Sequence, residues 1–370
     1  MEKKVIAIVV VLVLVVAALA AGLVIMSNSG KGSPSEVRVG FITGDIHHLP
    51  FAIADNATVG GGQSFYETNG LNVTPKGYVN GGAIMDTGFG TNQTDIAYLG
   101  AAPAISKHLN LGRNIVNTSI IAQTNEEGSI LVADMTVNSA SDLVGKKVAS
   151  PAKSSIQYLM LLKYLEDNGL NISGDPVPYN GTVAYKGAVN YTDAGAGTGK
   201  TLMQKPVNSI DHISAFIIWE PYGSDAVAGK VGHVLSTSHD IWPDHPCCVI
   251  VVNNQFAAAH PDIVNKFIAA HKQAINWING AEASSTSADY ALLVTTAKSF
   301  TEKNDTVVEA ALSYVKYDYA MPASFKTMLE EFAQKMIDFG LIPSSKLTYN
   351  GNDYMSVQDF IARYVKSDYL

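Results

Sequence analysis

Short apolar segments alternate with helix-forming segments from residue 36 onward, and turn residues separate them. "EVRVGFI" (36–42) and "TDIAYLG" (94–100) are typical of strands, and "AAPAISKHLN" (101–110) is typical of a helix with Pro103 in its first turn. Strands that alternate with helices in this way predict a parallel sheet with helices on both faces.

The same pattern begins again in the middle of the chain. Residues 147–150 are predicted as a strand, and a helix with one apolar face follows them until Asn168-Gly169 ends it. "HISAFIIWEPYG" (212–223) and "CCVIVVNNQF" (247–256) are predicted as further buried strands, and long helices complete the chain. The sequence therefore predicts two α/β units and a helical last part.

The chain begins with two lysines and an apolar segment. Lys3 and Lys4 precede a run without charged residues that exceeds the roughly 20 residues needed to cross a bilayer as a helix. Lysines on this flank favour export of the remainder of the chain, and Ala18-Leu19-Ala20 also resembles a signal cleavage site. We predict a transmembrane anchor or signal segment in residues 1–26 and a flexible linker in 27–35. The protein would then be extracytoplasmic, either anchored to the cell membrane or secreted.

Charge and cysteine content exclude several classes of protein. The net charge is −8 and no basic tract occurs, so nucleic acid is not expected as a partner. Cys247 and Cys248 are the only cysteines, so a disulfide framework is excluded. We predict two reduced thiols that pack as small apolar residues, because adjacent strand residues face opposite ways.

The segment "DAGAGTGKTL" (193–202) resembles a phosphate-binding loop, in which backbone N–H groups surround the phosphates of a nucleotide. Gly199, Lys200 and Thr201 fit the pattern, but Ala194 stands where its first glycine belongs. No apolar strand leads directly into the segment, and an exported protein meets no pool of ATP. We therefore predict a glycine-rich surface loop, without a nucleotide or any other cofactor.

Five segments occur in an order that resembles one family: "VRVGFITGDIHHLPFAIA", "TDIAYLGAAPA", "SDLVGKKVASPAKSSIQYLML", "ISAFIIWEPYGSDAVAG" and "HPCCVIVVNNQFAAAHPDIVNKFIAAHKQAINWI". They are similar to the substrate-binding proteins of ABC importers for sulfonates, taurine and nitrate, and to relatives that carry thiamine-pyrimidine precursors. The resemblance covers about residues 36 to 340. It implies an α/β fold of the type II periplasmic-binding-protein kind, a clamshell of two doubly wound lobes joined by a two-segment hinge.

The resemblance also implies lobe boundaries. Residues 36–126 would form the first part of lobe I, 127–249 would form lobe II, and 250–370 would return to lobe I and supply the C-terminal helices. Residues 185–212 would be an insertion in lobe II, since the family usually has a short loop there. The ligand would lie between the lobes.

Helix starts that follow strands are the predicted ligand-binding positions. Their N–H groups are unpaired and carry a partial positive charge that favours an anion, and open α/β sheets bind ligands beyond the carboxyl ends of their strands. A serine at such a position could equally serve as a helix cap. The residues concerned are Asp45, His47, His48, Gly81, Gly82, Gly100, Ala101, Lys153, Ser154, Ser155 and Gln157.

An aromatic and acidic motif follows the buried strand of the second unit. Trp219 and Tyr222 are predicted to form a wall of the cleft. Glu220 would either meet an ammonium group of the ligand or brace its own loop. Trp242 lies near the second crossover and is predicted as another cleft or hinge residue.

His47 and His48 suggest a metal or catalytic role, but no H-x-H, H-E-x-x-H or cysteine–histidine spacing completes a metal site. No spacing of catalytic residues stands out either. The sequence therefore predicts no metal and no catalytic residue, and a donor role toward the ligand for one of the histidines.

The resemblance implies a receptor that captures a small anionic solute and delivers it to an ABC importer permease with its ATPase subunits. An alkanesulfonate or taurine is the first expectation, and nitrate or bicarbonate is the next. Two alternatives stay open. One is a binding protein for a thiamine-pyrimidine precursor, and the other is a pyrimidine-synthase-like enzyme of the same fold, although the cysteine-rich iron motif of those enzymes is missing.

Overall fold

Two six-stranded sheets organise the part of the chain that the computed structural model describes, residues 35–174 and 183–370. Residues 36–370 form one compact unit. The predictions for residues 1–26, and for the linker up to residue 34, lie outside the described residues. Within the described residues, no helix has the length and apolar character that crossing a bilayer requires.

The strands of the described residues are numbered in chain order. They are β1 (Ser35–Ile42), β2 (Leu71–Tyr78), β3 (Ile96–Gly100), β4 (Thr118–Glu127), β5 (Ser129–Ala133), β6 (Lys147–Ser150), β7 (Leu170–Ile172), β8 (Gly187–Asp193), β9 (Ala215–Trp219), β10 (His233–Thr237), β11 (Pro246–Asn253) and β12 (Val315–Tyr317).

The α-helices of the same residues are numbered likewise. They are α1 (Leu49–Ala54), α2 (Phe65–Thr68), α3 (Gly81–Ala83), α4 (Ala101–Leu111), α5 (Ile156–Asp167), α6 (Thr198–Met203), α7 (Tyr222–Ala228), α8 (Ser238–Ile241), α9 (Asn254–Ala259), α10 (Pro261–Glu282), α11 (Ala288–Thr301), α12 (Asp305–Leu312), α13 (Ala323–Asp338) and α14 (Val357–Tyr364). Short 3-10 turns lie at Ile46–His48, Ala140–Leu143, Ser344–Thr348 and Ser367–Tyr369, and a π-helical turn at Ile84–Phe89 extends α3.

Both sheets are mixed, which corrects the prediction of parallel sheets. Sheet I has the order β12-β4-β11-β3-β1-β2, and sheet II has the order β10-β5-β9-β6-β8-β7. In sheet I, β1 and β3 are parallel, but β11 runs antiparallel to both β3 and β4. The parallel prediction fails at β5 and β11 because the chain enters these strands directly from the other sheet and not by a helical crossover within one sheet.

The core of sheet I follows from the alternation of strand residues between its two faces. Along β3, Ile96 and Tyr98 join an apolar cluster with Phe267 of α10, whereas Ala97 and Leu99 join the cluster on the opposite face. The buried apolar sequence of β3 is thus explained, since helices cover the sheet on both sides.

The chain passes between the sheets at two places. Gly128 alone separates β4 from β5, and its φ of 86° is in the region that favours glycine. The second passage leads from β10 through α8 and residues 242–245 into β11. Both passages therefore lie beside the start of β11.

Residues 185–212 are part of the second sheet, and not only a loop. Strand β8 lies between β6 and β7 and is parallel to both, so an extended strand does precede the glycine-rich segment. Gly199 lies inside α6, where a Cβ would be 2.6 Å from the Phe216 ring. Lys200 Nζ is 3.0 Å from the Asp225 carboxylate. The predicted surface loop is thus a strand–turn–helix unit whose lysine is already paired with an acid.

We call the part built on sheet I lobe I and the part built on sheet II lobe II, so β11, which starts at Pro246, counts with lobe I. Helix α13 contacts helices of both lobes, α4 and α5. Lys335 of α13 forms an ion pair with Glu166 of α5, with an N–O distance of 2.7 Å. Phe332 meets the Trp242 ring edge-on, with 4.7 Å between the ring centroids. A C-terminal helix therefore joins the lobes in addition to the two strand passages. We name these contacts, Lys335–Glu166 and Phe332–Trp242, the α13 clasp.

Candidate ligand-binding cleft

A small cavity lies between the two sheets, and both lobes line it. Its volume is about 30 Å³, which leaves room for about two water molecules. Sheet I and its connections contribute Ile42, Asp45, His47, Asn80, Gly81, Gly82, Gly100, Pro103, Cys247 and Cys248. Sheet II and its connections contribute Pro151, Ala152, Ser154, Ser155, Ile156, Gln157 and Trp219.

Glycines on the lobe I side bring backbone close to the cavity. A Cβ at Gly81 would lie 2.7 Å from the Pro103 ring, so a larger residue there would push α3 away from α4. Gly100 is the N-cap of α4 and supplies no side-chain cap. Its position at the cavity leaves the first N–H groups of α4 available to a ligand.

Lobe II places the N-terminus of α5 at the same cavity. The Ser155 hydroxyl accepts a hydrogen bond from Tyr158 N at 3.1 Å and caps this helix. Ser154 faces Gly82 across the cavity, since a Cβ on Gly82 would lie 3.4 Å from the serine hydroxyl. Gln157 donates to the Ser129 hydroxyl at 2.9 Å. Ser155 is therefore a cap as well as a lining residue.

Trp219 closes the cavity on the lobe II side. The side chain is only 4% exposed, and the ring of Tyr222 meets it edge-on at a centroid distance of 6.2 Å. Its buried Nε1–H has no hydrogen-bond partner among the described residues. A buried indole N–H normally finds an acceptor, so Trp219 has a donor to offer to a ligand.

Asp45 and His47 lie in the turn that follows β1. The Asp45 carboxylate accepts from His47 N at 3.0 Å and caps the 3-10 turn. His47 Nε2 lies 2.7 Å from the carbonyl oxygen of Gly128, and a carbonyl can only accept, so Nε2 carries a proton. The other ring nitrogen, Nδ1, is 3.4 Å from Cys247 Sγ and 3.7 Å from Cys248 Sγ.

The two cysteines reach the same imidazole because β11 is irregular at this point. Its register with β4 shifts on both sides of Cys248, and such a bulge interrupts the strict alternation of side chains. Both thiols are free and buried, and both line the cavity. The expectation that adjacent strand residues face opposite ways therefore fails here.

The electrostatics of this group are strongly coupled. Burial opposes the charged form of His47, but the negative charges of Cys247 and Asp45 outweigh it and raise the pKa of His47 to about 9. Burial raises the pKa of Asp45 to about 7. A hydrogen bond from Cys248, together with the charge of His47, lowers the pKa of the Cys247 thiol well below its usual range. The two shifts thus both favour the charged forms of His47 and Cys247 in lobe I.

The profile of the NMT1-like family matches residues 30–293, more than half of the chain. The chain belongs to the NMT1-like family. No curated protein sequence matches it.

Solved structures of similar fold are numerous, and three describe the likeness of this NMT1-like chain. The alkanesulfonate-binding protein SsuA from Xanthomonas axonopodis pv. citri, bound to MOPS, is 13% identical, with a TM-score of 0.67 over 91% of this chain and 99% of its own. The ligand-binding component of an ABC-type import system from Staphylococcus aureus, with zinc bound, is also 13% identical, with a TM-score of 0.67 over 90% and 97%. The periplasmic nitrate-binding protein NrtA from Synechocystis PCC 6803 is 13% identical, with a TM-score of 0.66 over 90% and 87%. These likenesses confirm the predicted periplasmic-binding-protein fold.

Six predicted site residues of the NMT1-like chain do not line the cavity. His48 turns toward the lobe I core, where its Nδ1 accepts from Ile42 N at 2.9 Å and its ring approaches Tyr98. Burial and the charge of His47 lower the pKa of His48 to about 3. Ala101 is fully buried in the first turn of α4. Of the two adjacent histidines, His47 therefore lines the cavity and His48 belongs to the lobe I core.

The other four lie on the lobe II side. Glu220 is fully buried and its carboxylate accepts from the N–H and the hydroxyl of Ser224, at 2.9 and 3.0 Å, so it braces the start of α7. Tyr222 reaches toward the Thr43 carbonyl. Lys153 is exposed and lies over the rings of Tyr158 and Tyr191. Trp242 belongs to the α13 clasp.

Sequence reasoning missed other lining residues. Asn80 caps α3 through a hydrogen bond from Ala83 N at 2.8 Å, and an asparagine before two glycines is a signal that could have identified it. Cys247 and Cys248 gave no such signal, because 200 residues separate them from His47. The cysteine–histidine set that spacing could not reveal exists in three dimensions.

Proposed function

We propose that this NMT1-like chain is the extracytoplasmic solute-binding component of an ABC importer. It captures a small anion between its two lobes and delivers it to a permease with ATPase subunits. The fold supports this proposal, as do the binding proteins for an alkanesulfonate and for nitrate among its structural neighbours. The N-terminal apolar segment would hold the receptor at the outer side of the membrane.

The observation that carries the proposal is the set of hydrogen-bond donors around one interlobe cavity. The N-terminus of α4 reaches the cavity from lobe I and the N-terminus of α5 reaches it from lobe II, while the Trp219 N–H has no acceptor among the described residues. Donors that converge on an enclosed space favour a ligand with several acceptor oxygens. An anion that bridges the two lobes gains contacts only in the closed state, so it favours closure.

The size of the cavity limits the solute. A cavity with room for about two water molecules would accept a small ion such as nitrate or bicarbonate after only a slight separation of the lobes. A sulfonate or taurine would require the lobes to stand farther apart than they do here. Small oxyanions are therefore the first candidates, ahead of the alkanesulfonate or taurine that the sequence favoured.

The test is a panel of solutes on the purified chain: nitrate, bicarbonate, taurine, an alkanesulfonate and a thiamine-pyrimidine precursor. A ligand at 100 times its Kd adds about 2.7 kcal/mol of stability, so the unfolding temperature should rise measurably. Calorimetry with the stabilising solute then compares Trp219→Phe with Trp242→Phe. Both tryptophans are buried and the chemical change is the same, but only Trp219 lines the cavity.

We expect Trp219→Phe to weaken binding about 10-fold to 100-fold, because a hydrogen bond to a charged group contributes about 1.5–3 kcal/mol. Trp242→Phe keeps an aromatic ring against Phe332 of the α13 clasp and should change Kd by at most about fivefold. Stabilisation by the pyrimidine precursor alone would move the assignment to uptake of that compound, and turnover of a bound solute would replace the receptor by an enzyme. An absence of binding across the panel would contradict the proposal.

A further inference from the structure

His47, Cys247 and Cys248 form a compact set of nitrogen and sulfur donors at the floor of the cleft. Their ligand atoms all lie within 4.8 Å of one another, and all three residues are buried. The residues come from the turn after β1 and from the start of β11. The set thus lies beside both passages between the lobes.

The spacing of the donors agrees with a tetrahedral metal centre. Zinc–sulfur bonds of about 2.3 Å and zinc–nitrogen bonds of about 2.0 Å, at tetrahedral angles, place the nitrogen about 3.5 Å from each sulfur. The distances from His47 Nδ1 to the two sulfurs are 3.4 and 3.7 Å. Little rearrangement is therefore needed for all three to bind one ion.

The hydrogen bond on the far side of the imidazole is of the kind that metal-binding histidines make. His47 Nε2 donates to the Gly128 carbonyl at 2.7 Å, which orients the ring and directs Nδ1 at the sulfurs. Histidines that bind metals usually donate their other N–H to a carbonyl or carboxylate in this way. Because Gly128 is the passage from β4 to β5, the hinge itself fixes this ligand.

A fourth donor is close at hand. One oxygen of Asp45 lies 3.5 Å from His47 Nδ1, and Asp45 also belongs to a second donor set with His48 and Cys248. All four of Asp45, His47, Cys247 and Cys248 line the cavity. The fourth position can therefore be filled by the carboxylate or by a solute in the cleft.

Packing of small apolar residues does not explain this convergence. Two alanines would fill the same space without an imidazole turned toward them, and free thiols in an oxidising compartment are exposed to disulfide formation. Thiolate and imidazole ligands together suit a thiophilic ion such as Zn²⁺.

We propose that His47, Cys247 and Cys248 bind one Zn²⁺ ion at the floor of the cleft, with Asp45 or a bound solute as the fourth ligand. The site stands independently of the anion receptor proposed above. If a solute does bind there, the ion adds positive charge at the place where an anion would sit.

The test begins with a thiol count on the denatured, unreduced chain, followed by calorimetric titration of the native chain with Zn²⁺. Co²⁺ provides a second probe, because thiolate ligands give it a sulfur-to-metal charge-transfer band. We expect two reactive thiols, one Zn²⁺ per chain, a Kd below micromolar, and a Co²⁺ spectrum with that band. The variants are Cys247→Ser, Cys248→Ser and His47→Gln, each checked for folding by circular dichroism.

A matched control comes from a third histidine-containing donor set, away from the cleft floor. Glu127, His239 and Asp244 also lie close together, but His239 and Asp244 are exposed and the set contains no sulfur. His239→Gln should leave Zn²⁺ affinity unchanged, whereas each cysteine variant should lose at least about 100-fold and abolish the charge-transfer band. No Zn²⁺ binding to the reduced chain, unchanged affinity in a folded Cys247→Ser chain, or a disulfide in place of the thiols would each overturn the proposal.

The solute panel is repeated with saturating Zn²⁺ and with a chelator. Solute binding without Zn²⁺ binding would overturn the metal site and leave the receptor. Zn²⁺ binding without binding of any solute in the panel would overturn the receptor and leave the metal site.

Discussion

The two lobes bring different chemistry to one cavity. Lobe I contributes ionisable groups, Asp45, His47 and the two cysteines, which contacts inside the hinge hold in place. Lobe II contributes neutral groups on α5 and beside it, together with the indole of Trp219. The floor of the cleft is therefore set by the hinge, whereas the opposite wall is completed only where the lobes meet. Lobe I supplies the ionisable groups in fixed positions, and closure of the lobes adds uncharged hydrogen-bond donors from lobe II.

Substitution of Gly128 should have the largest effect on the difference between the lobes, because the position of His47 in the floor of the cleft depends on this glycine. A Cβ there would lie 2.2 Å from His47 Nε2, and the residue has a φ of 86°. Gly128→Ala combines a left-handed conformation, at about 1–2 kcal/mol, with overpacking of about 1–3 kcal/mol. We expect urea unfolding to show a loss of about 2–5 kcal/mol, together with weaker solute binding.

Gly145→Ala is the matched control. Gly145 lies in lobe II with a φ of 73°, and a Cβ there would meet nothing within 4 Å. Only the backbone cost should remain, about 1–2 kcal/mol. Equal losses in the two variants would show that the contact with His47 does not matter.

The lobes should also differ in their response to acid. His108 is buried in lobe I, where its ring nitrogens face Thr118 and the Tyr354 hydroxyl. Burial, with Arg113 nearby, lowers its pKa to about 3. The unfolded chain takes up a proton near pH 6.5 that the folded chain refuses, so stability falls as the pH drops, by about 3 kcal/mol at pH 4.

His108→Gln should flatten this part of the stability curve, even if it lowers stability at pH 7. The measurement is urea unfolding of both chains between pH 7 and pH 4. Parallel curves for the two chains would contradict the prediction.

Glu220 on the lobe II side should act in the opposite direction. Burial raises its pKa to about 7, against the hydrogen bonds from Ser224 and the charge of His47. The folded chain then keeps a proton that the unfolded chain has lost, so stability falls as the pH rises. The change between pH 6 and pH 8 should be about 1.4 kcal/mol. Glu220→Gln should remove that share of the slope, and an unchanged slope would count against the assignment.

Elements with an apolar segment or one apolar face were predictable from the sequence, but the polar strand β8 was not. Strands β3, β6, β9 and β11 and helices α4, α5, α10 and α13 are where apolar segments or periodicity indicated them. Strand β8 escaped because "GAVNYTD" is polar and mostly half-exposed, and its pairing with β6 and β7 decides its structure. The direction of β11 also depends on long-range pairing, which no local pattern reveals.

The candidate site divides in the same way. The rule that ligands bind at helix starts after strands predicted Gly81, Gly82, Gly100, Ser154 and Ser155 correctly as cavity-lining residues. This rule depends only on neighbours in the sequence. The meeting of His47 with Cys247 and Cys248 depends on the hinge and on a bulge in β11. Trp242 was predicted as a cleft or hinge residue because it lies near the second passage in the sequence. In the structure Phe332 of α13, from the C-terminal part of the chain, packs against it instead.

The smallest expected effect concerns the α13 clasp, which ties the two lobes together outside the cavity. Lys335→Met breaks its ion pair with Glu166, and such a partly exposed pair contributes at most about 1 kcal/mol. Because the pair links the lobes, its loss should favour opening and raise the solute Kd by about twofold to fivefold, as measured by calorimetry.

Lys266→Met is the control for this last effect, since it breaks an ion pair with Asp262 that lies within α10 of lobe I. It removes a charge and a surface pair of the same kind without touching lobe II, so its Kd should match that of the unmodified chain. A Kd that moves equally in both variants would mean that net charge, and not the link between the lobes, governs affinity. A shift in Lys335→Met alone would place part of the control of closure in a C-terminal helix, outside both the floor and the wall of the cleft.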